Sequence, residues 1–128
     1  MGGEEHEVKI TGLGELEKKL KRLSDVARTD AKQEALYTSS VLVQGDATLN
    51  APVGQYNDGR VGGNLRSSID YEVGTDNADI FATANYAEHV EYGTKNMKSQ
   101  PFLRPSLDNN KSSIIKIFSD TYAKYLKR

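Results

Sequence analysis

Leu65-Arg66-Ser67-Ser68-Ile69-Asp70-Tyr71-Glu72-Val73, then Gly74-Thr75-Asp76-Asn77, then Ala78-Asp79-Ile80-Phe81-Ala82-Thr83-Ala84, is the stretch whose reading decides the fold. Leu65, Ser67, Ile69, Tyr71 and Val73 alternate with Arg66, Ser68, Asp70 and Glu72, a period of two with one apolar and one polar face. The four residues that follow are turn formers. Ala78, Ile80, Ala82 and Ala84 then alternate again, so residues 65–84 read as an antiparallel β-hairpin.

Upstream of the hairpin the period changes to that of a helix. Leu13, Leu16, Leu20, Leu23 and Ala27 recur three or four residues apart, with Lys18, Lys19, Lys21 and Arg22 on the opposite face. Asp30 with Gln33 resembles a capping box, which predicts a second helix from there to about Leu49. Its expected seam is Ala35, Leu42 and Leu49, a heptad apart, with Thr38 and Gly45 between them and Gly45 allowing close approach of another element. A short strand is expected over Glu7–Ile10, ahead of both helices.

Between helix and hairpin lies APVGQYNDGRVGG, residues 51–63, a long glycine-rich connection expected to be flexible at Gly54, Tyr56, Gly59, Gly62 and Gly63. Beyond the hairpin, Tyr86–Tyr92 reads as a short helix or irregular strand broken by Gly93-Thr94, and residues 95–100 as a polar, mobile loop. Pro105 suits a first helical turn. A final helix is predicted over about 105–126, with Ile114, Phe118, Tyr122 and Leu126 on its apolar stripe. The outline is an α+β fold: an antiparallel sheet with helices on one face and a long C-terminal helix, in one domain over residues 1–128.

Composition excludes several classes of chemistry. The absence of cysteine removes disulfides, thiolate metal sites and cysteine nucleophiles, and fits a reducing cytoplasm. No apolar run reaches membrane-spanning length, and the acidic N-terminus is unlike a signal peptide. His89 in Glu88-His89-Val90-Glu91 lacks the further ligands that a metal site needs, and His6 sits near the terminus. Neither a nucleophile elbow nor a phosphate-binding glycine loop is present. The reading is therefore a non-enzymatic protein with no cofactor and no metal.

Charge is unevenly placed. Residues 51–94 carry 2 basic against 7 acidic side chains, and residues 95–128 carry 8 basic against 2 acidic. Either these are solvated faces, or the acidic centre and the basic C-terminal end meet across a subunit boundary, with Lys116 and Lys124 as candidates for that contact. The basic tail also admits non-specific contact with nucleic acid.

Two segments carry a resemblance. One is Ala51-Pro52-Val53 followed by Gly63-Asn64-Leu65-Arg66-Ser67-Ser68-Ile69. The other is Tyr86-Ala87-Glu88-His89-Val90-Glu91-Tyr92-Gly93-Thr94 followed by Gln100-Pro101-Phe102-Leu103-Arg104-Pro105-Ser106-Leu107. In order and spacing the chain resembles the gene-product-ten type of tail-component protein of lambdoid siphophages, over roughly residues 10–125. Here Gly54–Gly62 intervenes where that family usually runs directly from the first triplet through Asp-Thr-Gly into Leu-Arg.

The resemblance implies a virion structural protein, made in the bacterial cytoplasm, that forms a ring at the phage neck, completes the tail and joins it to the capsid connector. It implies as partners further copies of the chain in a hexameric ring, a head-completion or connector protein, a tail tube or terminator protein, and DNA passing non-specifically through the lumen, with no membrane. It points to Glu91, Tyr92, Gly93, Thr94, Pro101, Phe102, Leu103, Arg104 and Pro105 as subunit-interface candidates, with Phe102 and Leu103 as an apolar pair on a proline-stiffened exposed arm or as anchors of the last helix. The alternative is a small nucleic-acid-binding or host-directed phage protein.

Overall fold

A computed structural model describes residues 8–10, 24–53 and 63–127. Its elements are β1 (Val8–Ile10), α1 (Asp25–Asn50), α2 (Asn64–Ser67), β2 (Ile69–Val73), β3 (Ala78–Ala82), α3 (Ala87–Tyr92), α4 (Leu103–Asp108) and α5 (Lys111–Leu126). The leucine stripe read at positions 13–23 lies outside the described residues, as does the connection at 54–62 with Gly54, Tyr56, Gly59 and Gly62.

The hairpin is present and forms the centre of an antiparallel sheet of order β1-β3-β2. Its register pairs Ile69 with Ala82, Tyr71 with Ile80 and Val73 with Ala78, so these side chains share the face turned to the helices. Ile69, Ala78, Ile80 and Ala82 are buried there, while Asp70 and Glu72 on the opposite face are exposed. Strand β2 begins at Ile69, later than the alternation from Leu65 implies. Residues 64–67 form a helical turn instead, entered through Gly63 at φ 107°. Ser67 Oγ donates to the Asn64 carbonyl and Ser68 Oγ to that of Leu65, local bonds by which serine competes with a strand ladder.

Helix α1 starts at Asp25, ahead of the expected capping box at Asp30. Ser24 is the cap, its Oγ accepting the Ala27 N–H at 3.1 Å. Gln33, read as half of that box, reaches the hairpin turn and donates to the Gly74 and Thr75 carbonyls. The buried face is Ala31, Ala35, Leu36, Ser39, Ser40, Val43 and Ala47. The expected heptad seam holds only at Ala35: Leu42 is half-buried and Leu49 is 73% exposed. Steps of four residues advance about 40° round a helix and steps of seven fall back about 20°, so the heptad drifts out of the buried arc. A Cβ at Gly45 would meet no atom within 4 Å, so no element approaches there.

The C-terminal region is two helices, not one. Asn109 and Asn110 turn the chain between α4 and α5, and Asn110 Nδ2 donates to the Ser106 carbonyl and to Asp46 on α1. That grip lays α5 along α1, where Ile114, Phe118 and Tyr122 enter the core as predicted; Leu126 stays 38% exposed. Phe118 and Tyr122 meet edge to face, ring centroids 6.0 Å apart.

Ser39 Oγ is buried and has no hydrogen-bond partner. Ser39→Ala removes an unsatisfied hydroxyl and improves helix propensity, so it is expected to stabilise the fold by about 1 kcal/mol, read from urea unfolding midpoints at unchanged m. An unchanged or lower midpoint would mean the hydroxyl has a partner in solution.

Candidate functional site

Helix α3, six residues long, carries a carboxylate into the interior. Glu91 is 5% exposed. Its Oε1 accepts the backbone N–H groups of Phe102 and Leu103, each at 2.9 Å, and its Oε2 accepts that of Arg104 at 3.1 Å. These amides open α4, where no intrahelical acceptor exists and where negative charge is favoured. The side chain of α4's own cap residue, Phe102, offers no acceptor. Glu91 thus acts as a cap supplied from another helix.

The clamp decides the fate of the arm after Pro101. Phe102 and Leu103 are 0% and 1% exposed. Of the two readings the sequence left open, exposed arm or anchor, the burial is that of the anchor: both side chains enter the chain's own core, because fixing the first amides of α4 turns them inward. Pro101 and Arg104 are exposed and Pro105 is half-buried.

Gly93 makes the clamp reachable. It sits at φ 78°, ψ 174°, a region essentially restricted to glycine, and its N–H donates to the His89 carbonyl at 2.7 Å. A Cβ there would lie 2.8 Å from Ser99 N and 3.0 Å from the Met97 carbonyl oxygen. The chain folds back as a tight turn, with Thr94 and Met97 exchanging backbone hydrogen bonds and Gln100 N–H donating to the Val90 carbonyl. Residues 95–100, read as a polar, mobile loop, are exposed and polar, and the segment 94–100 is held at both ends by these backbone hydrogen bonds.

The first motif segment contains a second clamp. Arg66 Nε donates to the Ala51 carbonyl at 2.8 Å and Nη2 to that of Leu49 at 3.4 Å. These carbonyls end α1, whose last turn has no basic residue of its own, so Arg66 supplies the cation favoured at a helix C-terminus. Sequence reading gave Arg66 no role.

The two segments converge on a groove of about 320 Å³ lined by Pro52, Val53, Leu65, Tyr86, Val90 and Met97, with Gly63 and Gln100 completing it. Val53 is 44%, Tyr86 38% and Met97 37% exposed. Tyr92 and Thr94 are not core residues, and Lys95 and Lys98 flank Met97 in the turn.

The candidates on α5 are engaged elsewhere. Lys116 pairs with Asp120 at 2.8 Å, and that hydrogen bond raises its pKa above the ordinary lysine value. Lys124 pairs with Glu34 on α1, and Lys111 lies 3.5 Å from Asp108. The basic stripe is largely neutralised by carboxylates of the same subunit. Among the described residues no group of three or more His, Cys, Asp or Glu side chains converges as a metal site, and His89 is exposed on α3. No described helix is long and apolar enough to cross a membrane.

Comparison with known families places these features. Residues 14–93 match the family described as "Bacteriophage HK97-gp10, putative tail-component". The match covers more than half of the chain, and the protein belongs to this family of phage tail components. No curated protein and no solved structure matches the chain. The matched span includes Arg66, the groove residues up to Val90, and the Glu91-Tyr92-Gly93 end of the clamp.

Glu91→Ala leaves three backbone amides without an acceptor and is expected to cost about 3 kcal/mol or more in urea unfolding. Glu91→Gln keeps one acceptor oxygen and should cost less, about 1–2 kcal/mol. Equal losses for the two would show that the carboxylate's hydrogen bonding is not what matters. Gly93→Ala adds both a strained φ and overlap with Ser99, and is expected to destabilise by about 2 kcal/mol or more.

Proposed function

We propose that the chain is a structural, non-catalytic subunit of the virion that assembles as a head-to-tail ring at the phage neck, completing the tail and joining it to the capsid connector. The observation that carries this reading is the groove. In a chain of the tail-component family, both motif segments build and brace one surface patch whose apolar side chains stay open to solvent. Rigid backbone around exposed Val53, Tyr86 and Met97 suits contact with another protein, and charged side chains that would serve chemistry are instead bound to backbone groups. A ring needs two different surfaces on each subunit, which a small α+β domain can offer with a groove and a sheet face that no described helix covers. The partners in this reading are further copies of the chain, the head-completion or connector protein, and the tail tube or terminator protein, with DNA passing through the lumen.

The nucleic-acid-binding alternative finds less support. Lys111, Lys116 and Lys124, which would have gripped phosphates, each have a carboxylate partner.

The test is location. Purified virions of the phage that encodes the chain are expected to contain it in several copies per particle, with antibody label at the head–tail junction. Deleting its gene should yield filled heads and tails that fail to join. Absence from virions, or label at the distal tail tip, would overturn the reading.

A further inference from the structure

Among the described residues no helix packs on the second face of the sheet. On it stand Asp70, Glu72, Asp79 and Phe81, since Ile80 and Ala82 point the other way. Asp70 lies directly across from Phe81, and Glu72 directly across from Asp79, whose register partner on the other side is Lys9 of β1. Phe81 is half-buried and takes no part in the core cluster. It borders a cleft of about 340 Å³ that continues along Ala82–Asn85 to Glu88. An aromatic side chain is thus set among carboxylates.

The groove beside α3 has the opposite character. Its exposed apolar centre is Met97, with Val53 and Tyr86, and Met97 is flanked in the turn by Lys95 and Lys98. Lys32, Lys111, Lys116 and Lys124 all pair with carboxylates of the subunit, whereas Lys95 and Lys98 ion-pair with none of the described residues. Glu72 and Glu88 likewise ion-pair with no described residue. Each patch has an apolar centre, and the charges placed around the two are of opposite balance: Asp70, Glu72, Asp79 and Glu88 against Lys9 at the sheet face, Lys95 and Lys98 at the groove.

We infer that the turn of residues 94–98, with the groove behind it, seats on the open sheet face around Phe81 of a second copy of the chain. Met97 meets Phe81, a sulfur–aromatic contact, while Lys95 and Lys98 approach Glu72, Glu88 and Asp70. The contact is heterologous: each subunit gives its turn to one neighbour and its sheet face to the other, as successive copies in a ring require. Gly93 and the Thr94–Met97 hydrogen bonds hold the turn in shape beforehand, which lowers the cost of ordering it on contact.

This inference rests on the ring reading, and its test separates the two. The chain has no cysteine, so Phe81→Cys and Met97→Cys introduce the sole thiols. In virions already shown to contain the chain, the doubly substituted protein is expected to give an oxidised ladder of dimers and higher multimers, and each single variant little. In parallel, Lys95→Glu/Lys98→Glu and Glu72→Lys/Glu88→Lys should each lower incorporation into virions about tenfold or more. All four changes together should restore most of it, with circular dichroism confirming the fold of each. A chain absent from virions sinks the ring reading. A chain present at normal copy number, with no ladder and no loss on charge reversal, overturns this inference alone. Cross-linking of either single variant, Phe81→Cys or Met97→Cys, to a different virion protein also overturns it.

Discussion

Burying the carboxylate of Glu91 removes a charge from water, a cost the fold offsets with three backbone N–H groups that have no acceptor within their own helix. Everything C-terminal to residue 100 depends on that arrangement. Once the amides of Phe102, Leu103 and Arg104 are fixed, the start of α4 is set and Phe102 and Leu103 enter the core. From there Ser106, whose hydroxyl donates to the Leu103 carbonyl, and Asn110, which donates to Asp46, lead the chain onto α1. The dependence is geometric: a carboxylate on one short helix caps a second, and the second aims the third.

Arg66 does the complementary work at the other end of the long helix. The carbonyls of Leu49 and Ala51 end α1 without a basic residue in its last turn, and a guanidinium arriving from beyond the connection satisfies both. The two motif segments can then be understood physically. Ala51-Pro52-Val53 and Leu65-Arg66 form one unit because a side chain in the second holds a carbonyl in the first. Glu91-Tyr92-Gly93 and Phe102-Leu103-Arg104 form another because a carboxylate in the first holds amides in the second. Gly93 belongs to that unit because only a residue without Cβ clears Ser99 on the way. Each unit has one charged side chain and the backbone groups it satisfies.

This explains which parts of the fold were legible in the sequence. The hairpin, α1 and α5 show themselves through periodicity, since burial of one face repeats along the element itself. Ile69, Ile80, Phe118 and Tyr122 are core residues for that reason. The boundaries were less legible because local signals compete. Asp30 and Gln33 have the spacing of a cap, yet Ser24 caps the helix and Gln33 serves the hairpin turn 41 residues away. Ser67 and Ser68 continue an alternation on paper and form a turn in space. The clamps of the candidate site were not legible at all. Their partners are main-chain groups, and a backbone amide has the same chemistry at every non-proline position, so no pattern marks the ones that will need a carboxylate. Phe102 and Leu103 could be read as arm or anchor with equal right until Glu91 was placed.

Charge shows the same gap between pattern and place. Summed by region, the acidic middle and basic end of the chain suggest two oppositely charged bodies. Paired by geometry, much of the basic end is already matched: Lys111 by Asp108, Lys116 by Asp120, Lys124 by Glu34. Exposed pairs of this kind contribute little stability, but they remove charge from the field around the chain. What remains to guide an encounter is the unmatched charge, and its position matters more than its sum. Lys95 and Lys98 stand in a turn braced by Gly93 and by backbone hydrogen bonds, whereas Lys111, Lys116 and Lys124 lie along a helix with their carboxylates beside them. The constraint that fixes the fold after residue 90 also fixes where the charges of Lys95 and Lys98 stand.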